Sequence, residues 1–99
     1  MTGPIYKLWM FKWTEAGYRL SEEEQQGNMA KLQAAYEKVG GKQAIACVSR
    51  WSAEQWLMFG LDEFPDIDAV QEFHELLEEY GHFRYVDSVS MLGTKWEPW

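Results

Sequence analysis

His74, Glu78 and His82 recur at four-residue spacing. On a helix that spacing stacks side chains on one face, a geometry that can gather a metal ion or orient a base. Gly81 stands just before the third member and ends a helix more readily than it continues one. His82 is therefore expected to leave the stripe, and the three read as a partly solvated helix edge rather than as metal ligands. His74 alone is the stronger candidate. It neighbours Val70 and Leu77 on a helical wheel, at the border of an apolar stripe, where a neutral imidazole can take or give a proton near neutral pH. The same placement suits, and more often means, a boundary histidine with one hydrogen bond and no task.

Aromatic side chains supply the second constellation: six Trp, five Tyr and five Phe among 99 residues. Each ring can bury roughly 150–250 Å², more than one small core hides easily, so some are expected against a partner or a ligand. Trp9, Trp13 and Trp56, with Trp51, suit a wall for a flat apolar molecule. Dimer packing would use the same rings without a ligand. Tyr6 and Tyr85 can donate phenolic hydrogen bonds to a carbonyl, although buried tyrosines usually find a protein partner. Arg50 and Asp87 are charges inside strands that can pair with each other or anchor a polar substituent. The expected site thus has His74 and Tyr85 in catalytic roles, with Trp9, Trp13, Trp56, Tyr6 and Arg50 binding substrate. No metal and no cofactor are expected.

Other motifs are weaker. Asp62, Glu63, Asp66 and Asp68 lack the spacing, central glycine and closing glutamate of an EF-hand loop, and helix capping accounts for them. No phosphate loop, zinc cysteine pair or nucleophile elbow is present. The net charge of −7 disfavours phosphate backbones and anionic lipid, so neither nucleic acid nor a membrane surface is an expected partner. No run approaches the ~18 apolar residues of a spanning helix. Leu8-Trp-Met-Phe11, flanked by Lys7 and Lys12, is too short for a leader core. Cys47 is the only cysteine, which forbids an internal disulfide and fits a cytoplasmic location.

These residues need a scaffold, and 99 residues suit a single domain spanning 1–99. Residues 5–13 read as a strand, with Ile5, Lys7, Trp9, Phe11 and Trp13 on one face and Tyr6, Leu8, Met10 and Lys12 on the other. Ser21 and Glu24 form a capping box opening a helix over 22–39, which Gly40-Gly41 stops. Met29, Leu32, Tyr36 and Val39 are its apolar stripe. Strands over 43–51 and 56–64 follow, joined by the four residues 52–55. Trp51 opposite Trp56 would set Val48 against Phe59 and Ala46 against Leu61 on a core side. Ser49 against Met58 and Cys47 against Gly60 would then line a smaller side with room for a ligand. Asp66 caps a second helix over 66–80 with Val70, Phe73, Leu77 and Tyr80 inward, stopped by Gly81. A last strand covers 85–92.

The order β-α-β-β-α-β is that of the ferredoxin-like α+β fold: a four-stranded antiparallel sheet with two helices on one face. The other face is bare yet apolar, so a second copy packed against it is the economical cover. The element order, the length, and the passage Lys12-Trp-Thr-Glu-Ala-Gly-Tyr-Arg-Leu-Ser-Glu-Glu-Glu24 resemble the dimeric α+β barrel superfamily, most closely its small darcynin-like proteins. The resemblance implies a homodimer with the helices outside and a pocket between helices and sheet. It also implies a choice of activities, since the superfamily holds cofactor-independent monooxygenases, haem-degrading oxygenases, polyketide cyclases and muconolactone isomerase. The haem-degrading branch uses Asn, Trp and His together. Asn28 falls on the first helix, not the first strand, so no such trio aligns. The expectation is a small cofactor-independent enzyme of monooxygenase, cyclase or isomerase type for an apolar aromatic or polyketide-like molecule. The alternatives are a non-catalytic dimeric binding or assembly module, with Trp96 and Trp99 packed on a neighbour, and a haem-binding protein.

Overall fold

A computed structural model describes residues 3–52 and 55–97. Its elements run β1 (Ile5–Trp13), α1 (Glu15–Tyr18), α2 (Glu22–Val39), β2 (Lys42–Val48), β3 (Met58–Phe64), α3 (Ile67–Glu79), α4 (His82–Tyr85) and β4 (Val86–Gly93). The sheet has the order β2-β3-β1-β4, and each pairing is antiparallel. Each crossover therefore skips one strand, which is the ferredoxin-like β-α-β-β-α-β arrangement expected from the sequence.

Local chemistry explains the long elements. The Ser21 hydroxyl accepts from the Glu24 amide and the Glu24 carboxylate accepts from the Ser21 amide, so α2 starts with a reciprocal cap. Gly40 ends it at φ 73°, a left-handed conformation that suits glycine. Asp66 caps α3 by accepting from the Ala69 amide at 2.8 Å. Ile5, Ala35, Tyr36, Val39, Phe64, Val70, Phe73 and Leu77 bury one core between these helices and the sheet. Tyr36, Phe64 and Phe73 form its aromatic centre, with centroids 4.5 to 6.0 Å apart.

The face of β1 carrying Ile5, Lys7 and Trp9 meets the helices; the face carrying Leu8 and Met10 does not. Leu8, Ile45, Phe59, Val89 and Met91 stay exposed on that second face, which no described element covers.

Several expectations need correction. The β2–β3 register is one residue off: Val48 faces Met58, Cys47 faces Phe59, Ala46 faces Gly60 and Ile45 faces Leu61, after a bulge between Gln43 and Ile45. A one-residue slip exchanges partners across the whole ladder, so Phe59 and Leu61 lie on the bare face and not in the core. The cause is a turn that begins early. The Ser49 and Arg50 amides both donate to the Leu57 carbonyl, and the Ser52 amide donates to the Ser49 carbonyl. Strand pairing stops at Val48, and Trp51 does not face Trp56 but stands 83% exposed. Of the expected loop, residues 53 and 54 lie outside the described ones. Tyr85 ends a short helix instead of opening a strand. Asp87 pairs with Lys12 at 3.8 Å across β1–β4, while Arg50 belongs to the turn beyond the opposite edge strand.

Candidate functional site

Between the sheet and the helices lies a cavity of about 230 Å³. Its floor is the helix-facing side of the sheet, where Ala46, Gly60 and Ser88 are small and Trp9 and Phe11 are large. The small residues create the space. A Cβ on Gly60 would lie 2.5 Å from Trp9 Cζ2 and 2.6 Å from the Ile45 carbonyl, so only glycine lets the indole lie flat there. Met29, Leu32 and Tyr36 of α2 form one wall, Phe73 and Leu77 of α3 another. His82, Phe83 and Val86 close the end where α4 meets β4.

Polar chemistry enters from the floor. Asp62 is fully buried, and each of its oxygens is claimed: Oδ1 accepts from Trp9 Nε1 at 2.8 Å and Oδ2 from the Tyr36 hydroxyl at 2.6 Å. Burial lifts its carboxyl above the usual range, against the opposing pull of Tyr36, Trp9 and Lys7. Burial first, and then this same carboxylate, pushes the Tyr36 phenol up.

Lys7 is the cross-strand partner of Asp62, is 7% exposed and is one of the residues lining the cavity. Desolvation lowers its pKa, and Asp62 works against the drop. Its Nζ lies 3.1 Å from His74 Nε2 and 5.2 Å from the Phe73 ring centre.

Two imidazoles feel the charge of this lysine. Burial first, and then the Lys7 charge, depress His74 to about 4. An ammonium at Lys7 donates to an unprotonated Nε2, which places the ring proton on Nδ1. His82 is 4% exposed and falls to about 4 through burial, then Lys7 and His74. Its Nδ1 meets the Tyr80 hydroxyl at 2.9 Å. Phe83 packs between the two, parallel to His74 at 6.2 Å and edge-on to His82 at 5.2 Å.

The structure brings Trp9, and through Lys7 also His74, to this site. The other sequence candidates lie elsewhere. Trp13 packs edge-on to Phe11 at 5.2 Å beneath α1. Tyr6 is on the bare face, where its hydroxyl donates to Glu63. Trp56 is there too, 5.2 Å from the Lys12 ammonium, in a shallow groove with Leu8, Met10 and Phe59. Arg50 is exposed in the turn. Tyr85 packs under Arg84 at 5.5 Å, and its carbonyl accepts from the Thr14 amide. Glu78 is exposed, and among the described residues no three His, Cys, Asp or Glu side chains converge to hold a metal ion. Trp96 is 75% exposed, and Trp99 lies outside the described residues.

Sequence reasoning missed Lys7, Tyr36, Asp62 and His82 as site groups. Two of them carry a signal in the sequence: Lys7 interrupts the Ile5, Trp9, Phe11 face, and Asp62 interrupts the alternation of Met58 and Phe64.

No protein-family model matches the sequence, and no curated protein matches it. Solved structures do. The R173A mutant of chlorite dismutase from Candidatus Nitrospira defluvii overlays with a TM-score of 0.74 at 13% identity, covering 98% of this chain and 42% of that one. The same enzyme in complex with imidazole gives 0.74 and 13%, again over 98% and 42%. The RPA0582 protein of unknown function from Rhodopseudomonas palustris gives 0.65 at 19%, over 99% of this chain and 86% of that one. The chain thus spans about two fifths of the length of the chlorite dismutase chains it overlays. At these identities the likeness shows the fold: the ferredoxin-like α+β arrangement of chlorite dismutase. The narrower likeness to darcynin-like proteins gains no support from these matches. Among the described residues no helix is long and apolar enough to cross a membrane.

Proposed function

We propose that this chain is a small cofactor-independent enzyme, of monooxygenase, cyclase or isomerase type, acting on an apolar aromatic or polyketide-like molecule held between sheet and helices. The observation that carries the reading is the cavity itself: aromatic and aliphatic walls, with one buried amine among few polar groups. Its volume of about 230 Å³ falls below the ~300 Å³ at which pockets for drug-sized ligands begin, so the substrate is one or two rings in size. Trp9 and Phe73 give it flat surfaces. Lys7 supplies a hydrogen-bond donor for an oxygen on which negative charge develops, a charge that a desolvated donor stabilises more than water does; the Tyr36 proton is committed to Asp62. His74, expected from the sequence to handle protons, acts through Lys7 and is a positioning residue. Tyr85 takes no part in this version of the site.

A homodimer belongs to the same proposal. The bare face presents Leu8, Phe59, Val89 and Met91 to solvent, and a second copy packed sheet to sheet would bury them. That face also favours the second reading, a non-catalytic dimeric module.

Haem is a group that the superfamily resemblance brings into question. The cavity of about 230 Å³ is too small for a macrocycle, and His74 Nε2 is engaged by Lys7, so these residues do not fit it and no step runs through it. An absorption spectrum of the purified protein checks this, with no visible haem bands expected.

The test of ligand binding is a fluorescence titration with 2-naphthol, against wild type and a cavity-filling Leu77→Trp variant. Saturable binding to wild type and its loss in the variant support the reading. Equal behaviour of the two removes it.

A further inference from the structure

Lys7 is the one cation among the residues lining the cavity. The five other lysines, Lys12, Lys31, Lys38, Lys42 and Lys95, belong to the bare face or the outer surface. A lysine buried against apolar walls loses its preference for the charged form, and the neutral amine is a nucleophile. Three further features fit that role. Lys7 lines a space large enough for a small ring. Its Nζ lies 3.1 Å from His74 Nε2, which accepts a proton from the amine in the Nδ1–H tautomer. Its cross-strand neighbour Asp62 is held fixed by Trp9 and Tyr36, so it does not swing over to clamp the ammonium in a bidentate pair.

We propose that Lys7 is a carbonyl-capturing residue, which condenses with a small apolar aldehyde or ketone in the cavity to form an imine. This rests on the ligand-binding reading above and names the substrate class for it. In the step, Lys7 Nζ attacks the carbonyl carbon to form a C–N bond. The nitrogen loses two protons to the carbonyl oxygen, by way of His74 and water, and the oxygen leaves as one molecule of water. No oxidant or reductant is consumed. The imine, once protonated, draws electrons from the adjacent carbon, which gives a chain without a bound cofactor the electron sink that isomerisation or cyclisation requires. The charged and titratable groups facing Lys7 are Asp62 from β3, His74 from α3 and His82 from α4. Both imidazoles are depressed to about 4 and so pass a proton onward rather than retain it.

The experiment treats the full chain with benzaldehyde and sodium cyanoborohydride at pH 7, then maps the reduced benzyl adduct by peptide mass spectrometry. Binding is followed in parallel by tryptophan fluorescence. The proposal expects the adduct on Lys7 to form on the order of tenfold faster than on any other lysine, because the neutral amine is more abundant there. Toluene, which occupies the cavity without a carbonyl, slows Lys7 alone. A Lys7→Arg variant, checked for folding by circular dichroism, keeps a cation and loses the preferred adduct. If benzaldehyde binds saturably while the label spreads over the exposed lysines, the imine is overturned and the ligand-binding reading survives. If benzaldehyde neither binds nor labels Lys7, both fall.

Discussion

The Trp9 indole donates to Asp62 Oδ1 at 2.8 Å, from the strand next to it and across the ladder from Gly60. The bond ties the largest ring on the cavity floor to a fully buried carboxylate. Tyr36 adds a second donor from α2 at 2.6 Å, so one side chain joins both strands at the sheet centre to the helix above. A buried acceptor that loses a donor pays a desolvation cost of about 1–3 kcal/mol. Trp9→Phe and Tyr36→Phe should each destabilise the fold by about that much in urea titrations. Because both act on one carboxylate, the double variant should deviate from additivity.

Gly60 is a stricter requirement. Its missing Cβ is the space occupied by the Trp9 indole and the Ile45 carbonyl. Gly60→Ala should cost about 1–3 kcal/mol by overpacking, and the displaced indole should fill part of the cavity. Thermal denaturation gives the first effect, weaker 2-naphthol binding the second.

The two imidazoles set an acid limit. Each is depressed from the ordinary value of 6.5 to about 4, so between those values the unfolded chain binds more protons than the folded one. Stability therefore falls as pH drops from 6.5 towards 4. For the buried His82 the loss amounts to at most about 3 kcal/mol, at 1.36 kcal/mol per pH unit; His74, only partly buried, contributes less. Asp62, whose carboxyl is raised, works in the opposite sense as its window is crossed. A His82→Gln variant should show a flatter stability profile from pH 6.5 to 4, read by denaturation midpoints.

The bare face predicts the state of association. Leu8 and Met91 are cross-strand partners there and are both exposed. A Leu8→Lys, Met91→Glu pair would place charge where the proposed sheet-to-sheet contact buries apolar surface. Light scattering should give a dimer for wild type and a monomer for the variant.

The parts of this fold legible in the sequence are those with local causes. β1 spans Ile5–Trp13 and α2 spans Glu22–Val39 as expected, because a branched and aromatic run and a capping box with a glycine stop are local signals. The short helices Glu15–Tyr18 and His82–Tyr85 are too short to show a periodicity. The hairpin register depended on where the Ser49–Leu57 bonds close the turn and on a bulge near Gln43, and neither has a period-two signature. The site was half legible. Trp9 and the border position of His74 were found, but Asp62 was grouped with the acids near it in sequence. Its real partners, Trp9 and Tyr36, are 53 and 26 residues away, a relation only the fold creates.

Methyl-resolved NMR during titration with 2-naphthol locates the bound ligand, since Leu32, Leu77, Val86 and Met58 line the cavity while Leu8, Val89 and Met91 line the opposite face. The cavity account predicts saturating shifts in the first group with the second unmoved. Shifts confined to the second group, or none that saturate, would contradict it.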